Sequence, residues 1–419
     1  MDSLKVTGGI KLKGKIKISG AKNSALPLMA CSLLLSKGEL KLDSMPNLAD
    51  TRFMSILLSS LGMTSRIENN IAYISGEPKT YIAEYDIVRK MRASILVLGP
   101  LLTRYRIAKV SLPGGCSIGT RPVDLHIKAF EKMGASILLK DGYIEAKAPK
   151  KGLHGAEIIF PKISVGATEN IIMAASLANG ITRIINAAKE PEIIDLANCL
   201  IKMGALIKGA GNSEIIIEGV KELKGCNHKV IPDRIEAGSF AIAAAITNGS
   251  LELYNCEPKH LESLSKKLIN AGVNWESKKD IIKITSDGNL KPVDVQTAEY
   301  PDFPTDLQAQ FMTLMSVANG NSEIIENIFE NRFMHVPELL RMGANISVNG
   351  GVAKVSGVKN LKGAQIMATD LRASISLVIA ALKAEGESYI SRIYHLDRGY
   401  EKIEQKFQDC GANIERIMN

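Results

Sequence analysis

One feature constrains this chain before any other: a helix stop that returns about every seventy residues. Six strings end a helical pattern at a glycine and pass at once into a strand pattern: SSLGMTS (59–65), KMGASI (132–137), KMGALI (202–207), NAGVNW (270–275), RMGANI (341–346) and DCGANI (409–414). The stop glycines are Gly62, Gly134, Gly204, Gly272, Gly343 and Gly411, separated by 72, 70, 68, 71 and 68 residues. Each stands where a helix ends by turning left-handed, a conformation glycine adopts without steric cost. A period held this closely across 419 residues predicts six copies of one unit.

Each period holds another helix, rich in small apolar residues: SALPLMACSLLLSKG, ASILVLGPLL, NIIMAASLANG, GSFAIAAAITNG, DLQAQFMTLMSVANG and ASISLVIAALKAEG. Alternating segments follow, among them ELKLDS, ITRIIN and SLELYN, which read as half-buried strands. The unit is therefore strand, helix, strand, helix, strand, strand. Its first helix is apolar nearly all round and is expected to be buried; its second is amphipathic and is expected to cover the first. Such a unit is longer than the repeats of common solenoids, so each copy reads as a small α/β subdomain. Six copies could close one ring or form two groups of three. Chain length favours two halves of about 200 residues, with a boundary near residue 230, where HKVIPDRIEAGS joins the third copy to the fourth.

Composition removes several function classes. Hydrophobic residues at 46 % and charged residues at 23 % are those of an ordinary globular protein, not of a fibrous or disordered one. The net charge of +8 is spread along the chain and aromatics are only 5 %, which disfavours nucleic-acid binding. No signal peptide is read at the N-terminus. Uncharged stretches such as Ala237 to Leu251 fall short of a membrane span. The six cysteines and six histidines are scattered without metal-ligand spacing. A cytoplasmic protein without metal or disulfide framework is expected.

Polar residues recur at the start of each apolar helix: Lys22-Asn23-Ser24, Arg92-Ala93-Ser94, Thr168-Glu169-Asn170, Asp233-Arg234-Ile235-Glu236, Thr305-Asp306 and Asp370-Leu371-Arg372. Helix starts carry unpaired N–H groups and the positive dipole end, so they suit anions. Lys22, Arg92 and Arg372 are electrostatically wrong for stabilising a helix there, and as a set they point to binding rather than capping. Cys116 lies in SLPGGCSIGTRPVD, a glycine-rich loop before a helix expected to start around Pro122. An exposed thiol near Arg121 and a helix start is a setting for a reactive thiolate; the other five cysteines read as buried spares. Asp306 falls in the first helical turn after Tyr300-Pro301-Asp302-Phe303-Pro304. Arg332 and Arg398 each precede an outer helix. Alone, each of these would be an ordinary capping or surface residue.

The strings GAKNSALP, MRASILVLGP, GGCSIGTRPVDLH, FPKISVGATEN, DRIEAG, FPTDLQAQ, ENRFMH, DLRAS and HLDRGYE run in order from about residue 8 to 417. Together they resemble the motif set of the enolpyruvyl transferases, and within them the UDP-N-acetylglucosamine 1-carboxyvinyltransferase family. The related 5-enolpyruvylshikimate-3-phosphate synthases share the sixfold repeat but not the cysteine loop. The resemblance implies two inside-out, barrel-like α/β domains of three repeats each, helices inside and sheets outside. Residues 22–231 would form one, carrying the cysteine loop; residues 1–21 and 232–419 would form the other, with the active site in the cleft between them. It implies transfer of the enolpyruvyl group of phosphoenolpyruvate to the 3-hydroxyl of UDP-N-acetylglucosamine, with phosphate release, opening peptidoglycan synthesis. No cofactor is implied.

Carried over residue by residue, the resemblance makes Asp306 the base for the sugar hydroxyl. Cys116 becomes the acid that protonates C3 of phosphoenolpyruvate and the thiol that forms a covalent adduct. Lys22, Arg121 and Arg398 would hold phosphate, Lys22 and Arg398 counting as catalytic. Arg332 and Arg372 would hold the carboxylate, with Asn23 also at the phosphoenolpyruvate site. Asn23, Arg92, Arg121, Pro122, Val123, Asp124, Leu125, Lys162, Ile163, Ser164, Val165, Asp306 and Ile328 match nucleotide-sugar positions. Asp302, where many relatives have glycine, is expected to raise the Asp306 pKa by like-charge repulsion; Ser117 and Thr120 replace commoner alanines. Cys116 implies sensitivity to the epoxide antibiotic fosfomycin. Competing readings are transfer to another hydroxyl acceptor, a silent UDP-sugar-binding paralogue, or nucleic-acid binding on the repeats related to RNA 3′-phosphate cyclases. The complete set Lys22, Cys116, Asp306, Arg332, Arg372 and Arg398 argues against decay.

Overall fold

A computed structural model describes residues 2–112 and 123–418. The chain is a mixed α/β fold that divides into two compact units: Met1–Ser19 with Pro232–Asn419, and Gly20 to Ile231, leaving aside the undescribed residues. Among the described residues, six four-stranded sheets repeat one wiring. The sheet of the third copy shows it. Glu157–Ile159 pairs in parallel with Ile181–Ile185, which pairs antiparallel with Glu214–Glu218, which pairs antiparallel with Leu206–Lys208. A parallel pair requires a crossover, and the central helix Val165–Ala175 supplies it. The outer helix Pro191–Met203 spans the next connection.

In three of the sheets the wiring borrows a strand from a distant part of the chain. Lys13–Lys17 is the parallel first strand beside Ser250–Tyr254, and Ser3–Thr7 lies between Glu387–Ser391 and Asn413–Ile417. Asn227–Lys229, after the third copy, is the parallel first strand beside Glu39–Asp43 of the first. Each unit is thus a set of three repeats whose ends are joined by strand exchange along the chain.

The helix stops take the conformation that their glycines allow: φ is +105°, +93°, +113°, +91°, +87° and +90° from Gly62 to Gly411. The central helices are buried on every side. In Arg234–Ile246 all residues from Ile235 onward are buried, as are Arg372 to Leu382 in Leu371–Lys383. Alanine, serine and glycine make this close approach possible; a Cβ on Gly238 would stand 2.7 Å from the Leu307 side chain. The strands alternate, as in Ile181–Ile185, where Thr182 and Ile184 face the core. The central helices therefore lie within each unit and the sheets on its surface.

Neighbouring central helices run parallel. Gly99 N–H donates to Asn170 Oδ1 (2.8 Å) and Thr103 Oγ1 to Ala174 O (2.8 Å), so two contacts one helical turn apart join equivalent turns of adjacent repeats. The helix starts of a unit consequently gather at one end, where the positive ends of their dipoles add.

Two glycines test this packing. A Cβ on Gly357 would meet Ala318 O at 1.7 Å, whereas Gly343 (φ +87°) has nothing within 4 Å. We expect Gly357→Ala to lose about 3 kcal/mol or more through unrelieved overpacking, and Gly343→Ala about 1–2 kcal/mol through backbone conformation alone. Urea titrations followed by the fluorescence of Trp275, the sole tryptophan, would show the difference; equal midpoints would contradict it.

Candidate active site

In the unit formed by Gly20–Ile231, the expected residues occupy the gathered helix starts. Lys22 opens helix Lys22–Ala30 and is buried, its Nζ 2.8 Å from Asp50 Oδ2. Asn23 is the exposed residue of that otherwise buried helix. Arg92 opens the 3-10 turn Arg92–Val97, which packs against both Lys22–Ala30 and Val165–Ala175. Ser164 caps the latter helix, its Oγ accepting from Ala167 N–H (3.3 Å). Lys162 is exposed, and Ile163 and Val165 are half-buried. Helix Asp124–Lys132 packs on Val165–Ala175, with Leu125 buried and Val123 and Asp124 half-buried. Burial, and then the Arg92 charge, hold the adjacent His126 imidazole down to about 4. It is neutral at pH 7 and bonds through Nδ1 to the Asn170 amide (3.0 Å).

Asn170 also explains why the second copy begins with a 3-10 turn rather than an α-helix. Its amide takes the place of a main-chain bond, donating to Ile95 O (2.9 Å) while its Oδ1 accepts from Gly99 N–H. A side chain inserted into the ladder locally reshapes the helix. The Thr168-Glu169-Asn170 segment, expected at the start of the third helix, instead lies buried within it, because the helix begins at Val165. Burial, then Glu192 and Glu190, push the Glu169 carboxyl well above its usual range. Asp233 and Asp370 are N-caps in the ordinary sense, each Oδ1 accepting two backbone N–H groups. Cys116, Arg121 and Pro122 lie outside the described residues.

In the other unit, Asp306 is the centre. It sits in the 3-10 turn Thr305–Leu307 that leads into helix Gln308–Met315. Its Oδ1 accepts from Arg332 Nη2 and its Oδ2 from Arg372 Nη2, each at 2.8 Å. The arginine side chains are only 3 % and 4 % exposed, the aspartate 25 %. Burial alone would raise the Asp306 pKa, but the Arg372 and Arg332 charges and hydrogen bonds outweigh it and hold the carboxyl well below the usual carboxylate range. The expectation that Asp302 raises it is therefore corrected. Asp302 is exposed and is not among the charges that set Asp306; two guanidiniums in direct contact dominate a more distant carboxylate in water.

Sequence reading missed the residues that fix this cluster. Arg372 Nη1 donates to Tyr400 OH (3.3 Å), Tyr400 OH and Ser239 Oγ are 2.9 Å apart, and Gln310 Nε2 donates both to Ser239 Oγ (3.1 Å) and to Asp306 O (2.9 Å). The circuit from Asp306 through Arg372, Tyr400, Ser239 and Gln310 returns to the Asp306 backbone. Glu326, also buried, accepts from Thr305 Oγ1 (2.9 Å), Thr297 Oγ1 (2.9 Å) and Ile328 N–H (2.9 Å). It thus ties the Ile328 segment to the Asp306 turn. The only signal in the sequence was polar residues inside apolar helices, Ser239 in GSFAIAAAI and Gln310 in DLQAQF. Arg398 ends the turn Ile393–Arg398, which packs on helix Leu371–Lys383; its charge, after burial, lowers the His395 pKa.

A sixfold βαβαββ repeat in two units, with cations gathered at helix starts and a carboxylate held by arginines, defines the class of the enolpyruvyl transferases. The family model described as EPSP synthase (3-phosphoshikimate 1-carboxyvinyltransferase) matches residues 6–407. Among solved structures, the enolpyruvyl transferase NikO from Streptomyces tendae superposes with a TM-score of 0.89 at 22 % identity, over 100 % of this chain and 99 % of that one. The EPSP synthase from Acinetobacter baumannii gives 0.75 at 18 %, over all of both chains. These establish the fold. Sequence goes further. Proteins named UDP-N-acetylglucosamine 1-carboxyvinyltransferase are 55 % identical in Rhodospirillum centenum (100 % of this chain, 99 % of the relative) and 56 % in Granulibacter bethesdensis (100 % of both). The chain belongs to the UDP-N-acetylglucosamine 1-carboxyvinyltransferase family of enolpyruvyl transferases.

The clamp around Asp306 makes a stability prediction. Removing one partner from a buried ion pair is costly, and discounting for the exposure of Asp306 we expect Asp306→Asn to lose about 2 kcal/mol. A depressed folded-state pKa contributes stability that is complete above the unfolded value of about 3.9 and is lost as pH falls toward the folded value. The gap between wild type and Asp306→Asn should hold constant from pH 8 to pH 5 and narrow below about pH 4. Trp275-monitored urea titrations at pH 7, 5 and 3 would show this; a gap that opens only near pH 7 would contradict it.

Proposed function

We propose that the chain transfers the enolpyruvyl group of phosphoenolpyruvate to the 3-hydroxyl of UDP-N-acetylglucosamine, releasing phosphate, in the cytoplasmic synthesis of peptidoglycan precursors. The observation that carries the reading is the Asp306–Arg332–Arg372 cluster. Two buried cations that hold one carboxylate have the geometry to hold another, and the ionised Asp306 carboxylate lies between them. Asp306 takes the proton of the sugar hydroxyl; Cys116 delivers one to C3 of phosphoenolpyruvate and forms the covalent adduct. Lys22, Arg121 and Arg398 hold phosphate, with Asn23 alongside. Asn23, Arg92, residues 121–125, residues 162–165, Asp306 and Ile328 hold the nucleotide sugar. Preorganised cations stabilise the charge of a tetrahedral ketal that carries both phosphate and carboxylate.

Phosphate release assayed with phosphoenolpyruvate and each acceptor tests the reaction. UDP-N-acetylglucosamine should support turnover and shikimate 3-phosphate should not; the reverse would reassign the acceptor, and release with neither would favour a silent UDP-sugar-binding paralogue.

The cysteine assignment is tested separately. Cys31, Cys199, Cys256 and Cys410 are buried and Cys226 is half-buried. Burial pushes the Cys256 thiol up to about 12 and the Cys410 thiol up to about 11, and hydrogen bonding to Cys199 with burial raises Cys226. None of these three is poised as a thiolate. Fosfomycin should label Cys116 alone, and Cys116→Asp should resist it; peptide mass mapping that finds label on another cysteine would remove Cys116 from the role.

A further inference from the structure

Two features of the Asp306 cluster fit poorly with a base that is simply waiting for its substrate. A carboxylate accepting one hydrogen bond from each of two guanidiniums at 2.8 Å is strongly stabilised in its ionised form, and a catalytic base works best when its pKa lies near the working pH. The arginines proposed to receive the substrate carboxylate are themselves covered: their side chains are 3 % and 4 % exposed, and the more open group, at 25 %, is the aspartate on top of them. Arg372 Nη1 is engaged by Tyr400, so its Nη2 contact with Asp306 is the face a ligand would need.

We propose that Asp306 occupies the seat of the substrate carboxylate when phosphoenolpyruvate is absent, and that phosphoenolpyruvate binds there by exchange, displacing Asp306 from Arg332 and Arg372. This rests on the reading of Arg332 and Arg372 as the carboxylate site. The exchange conserves charge in the cluster: one carboxylate leaves two guanidiniums as another arrives, and no proton or covalent bond moves. It also supplies what the clamped aspartate lacks. Once separated from the guanidiniums Asp306 loses the interactions that hold its proton affinity down, so it becomes a competent acceptor for the sugar hydroxyl only when the second substrate is in place. Free enzyme with the nucleotide sugar alone has a base that is switched off.

The tethers support an exchange rather than a collapse. Arg372 stays fixed by Tyr400 OH, itself bonded to Ser239, and the Asp306 backbone stays fixed by Gln310. Only the Asp306 side chain has to rotate, and it is the member of the cluster that reaches solvent.

Calorimetric titration of phosphoenolpyruvate, without nucleotide sugar, into wild type, Asp306→Asn and Asp306→Glu tests the proposal. Asp306→Asn removes the resident competitor and should bind about tenfold tighter or more; Asp306→Glu keeps a carboxylate and should stay near wild type. Equal or weaker binding by Asp306→Asn overturns the proposal. A measurement on wild type guards against a variant that misfolds. With carboxyl-13C aspartate, the resonance absent from Asp306→Glu should move on saturation with phosphoenolpyruvate, and an unmoved resonance overturns the exchange. Failure of the base assignment looks different: tighter binding by Asp306→Asn together with retained turnover leaves the exchange standing and removes Asp306 as the base.

Discussion

A helix buried on every side must leave its polar ends somewhere, and that requirement organises this chain. Alanine, glycine and serine on all faces let the central helices pack against one another and beneath the sheets. Contacts between equivalent turns, such as Gly99 with Asn170 and Thr103 with Ala174, hold neighbours parallel. Parallel helices bring like dipole ends together, which is unfavourable unless charge of the opposite sign gathers there. The caps Ser164, Asp233 and Asp370 meet part of the need. Placing Lys22 and Arg372 at the same ends works against it, and those positions make sense only as receivers of further negative charge.

The repeat was legible because its punctuation is local. A glycine that must turn left-handed leaves its mark in the sequence wherever it occurs, and six of them at separations of 68 to 72 residues give the unit, its two helices and the number of copies. The strand exchanges were not legible from pattern. Lys13–Lys17, with the sequence KGKIK, carries a single buried residue, Ile16, flanked by lysines. Nothing in such a segment states that its partner is Ser250–Tyr254, more than 230 residues away. The expectation that residues 1–21 join the C-terminal half came from family resemblance alone, and contacts group Met1–Ser19 with Pro232–Asn419.

The same division holds in the candidate site. Cations out of place at helix starts could be picked out as a set, since a lysine or arginine recurring there offends a local rule. Their partners could not. Asp50 is an unremarked first-turn aspartate until it is found on Lys22, and Tyr400, Ser239 and Gln310 come from three different repeats. Long-range polar circuits have no period, so only the fold assembles them. The expectation for Asp302 failed for a related reason: sequence proximity was taken as electrostatic proximity, whereas the groups that set Asp306 are 26 and 66 residues away and in direct contact.

Lys22–Asp50 in one unit and Arg332 and Arg372 with Asp306 in the other share a logic. Each unit sets a carboxylate of its own against cations that the family reading assigns to an anionic substrate. Leaving such cations bare would cost folding stability, because a buried unpaired charge is expensive. Covering them with a resident acid preserves the fold but turns substrate binding from addition into competition, so part of the intrinsic attraction for the ligand is offset in advance. Weaker ground-state binding is no loss to an enzyme whose rate depends on interactions that strengthen toward the transition state. On this view the internal ion pairs are what allow a set of cations strong enough to stabilise a doubly anionic ketal to exist in a folded chain before the ketal is formed.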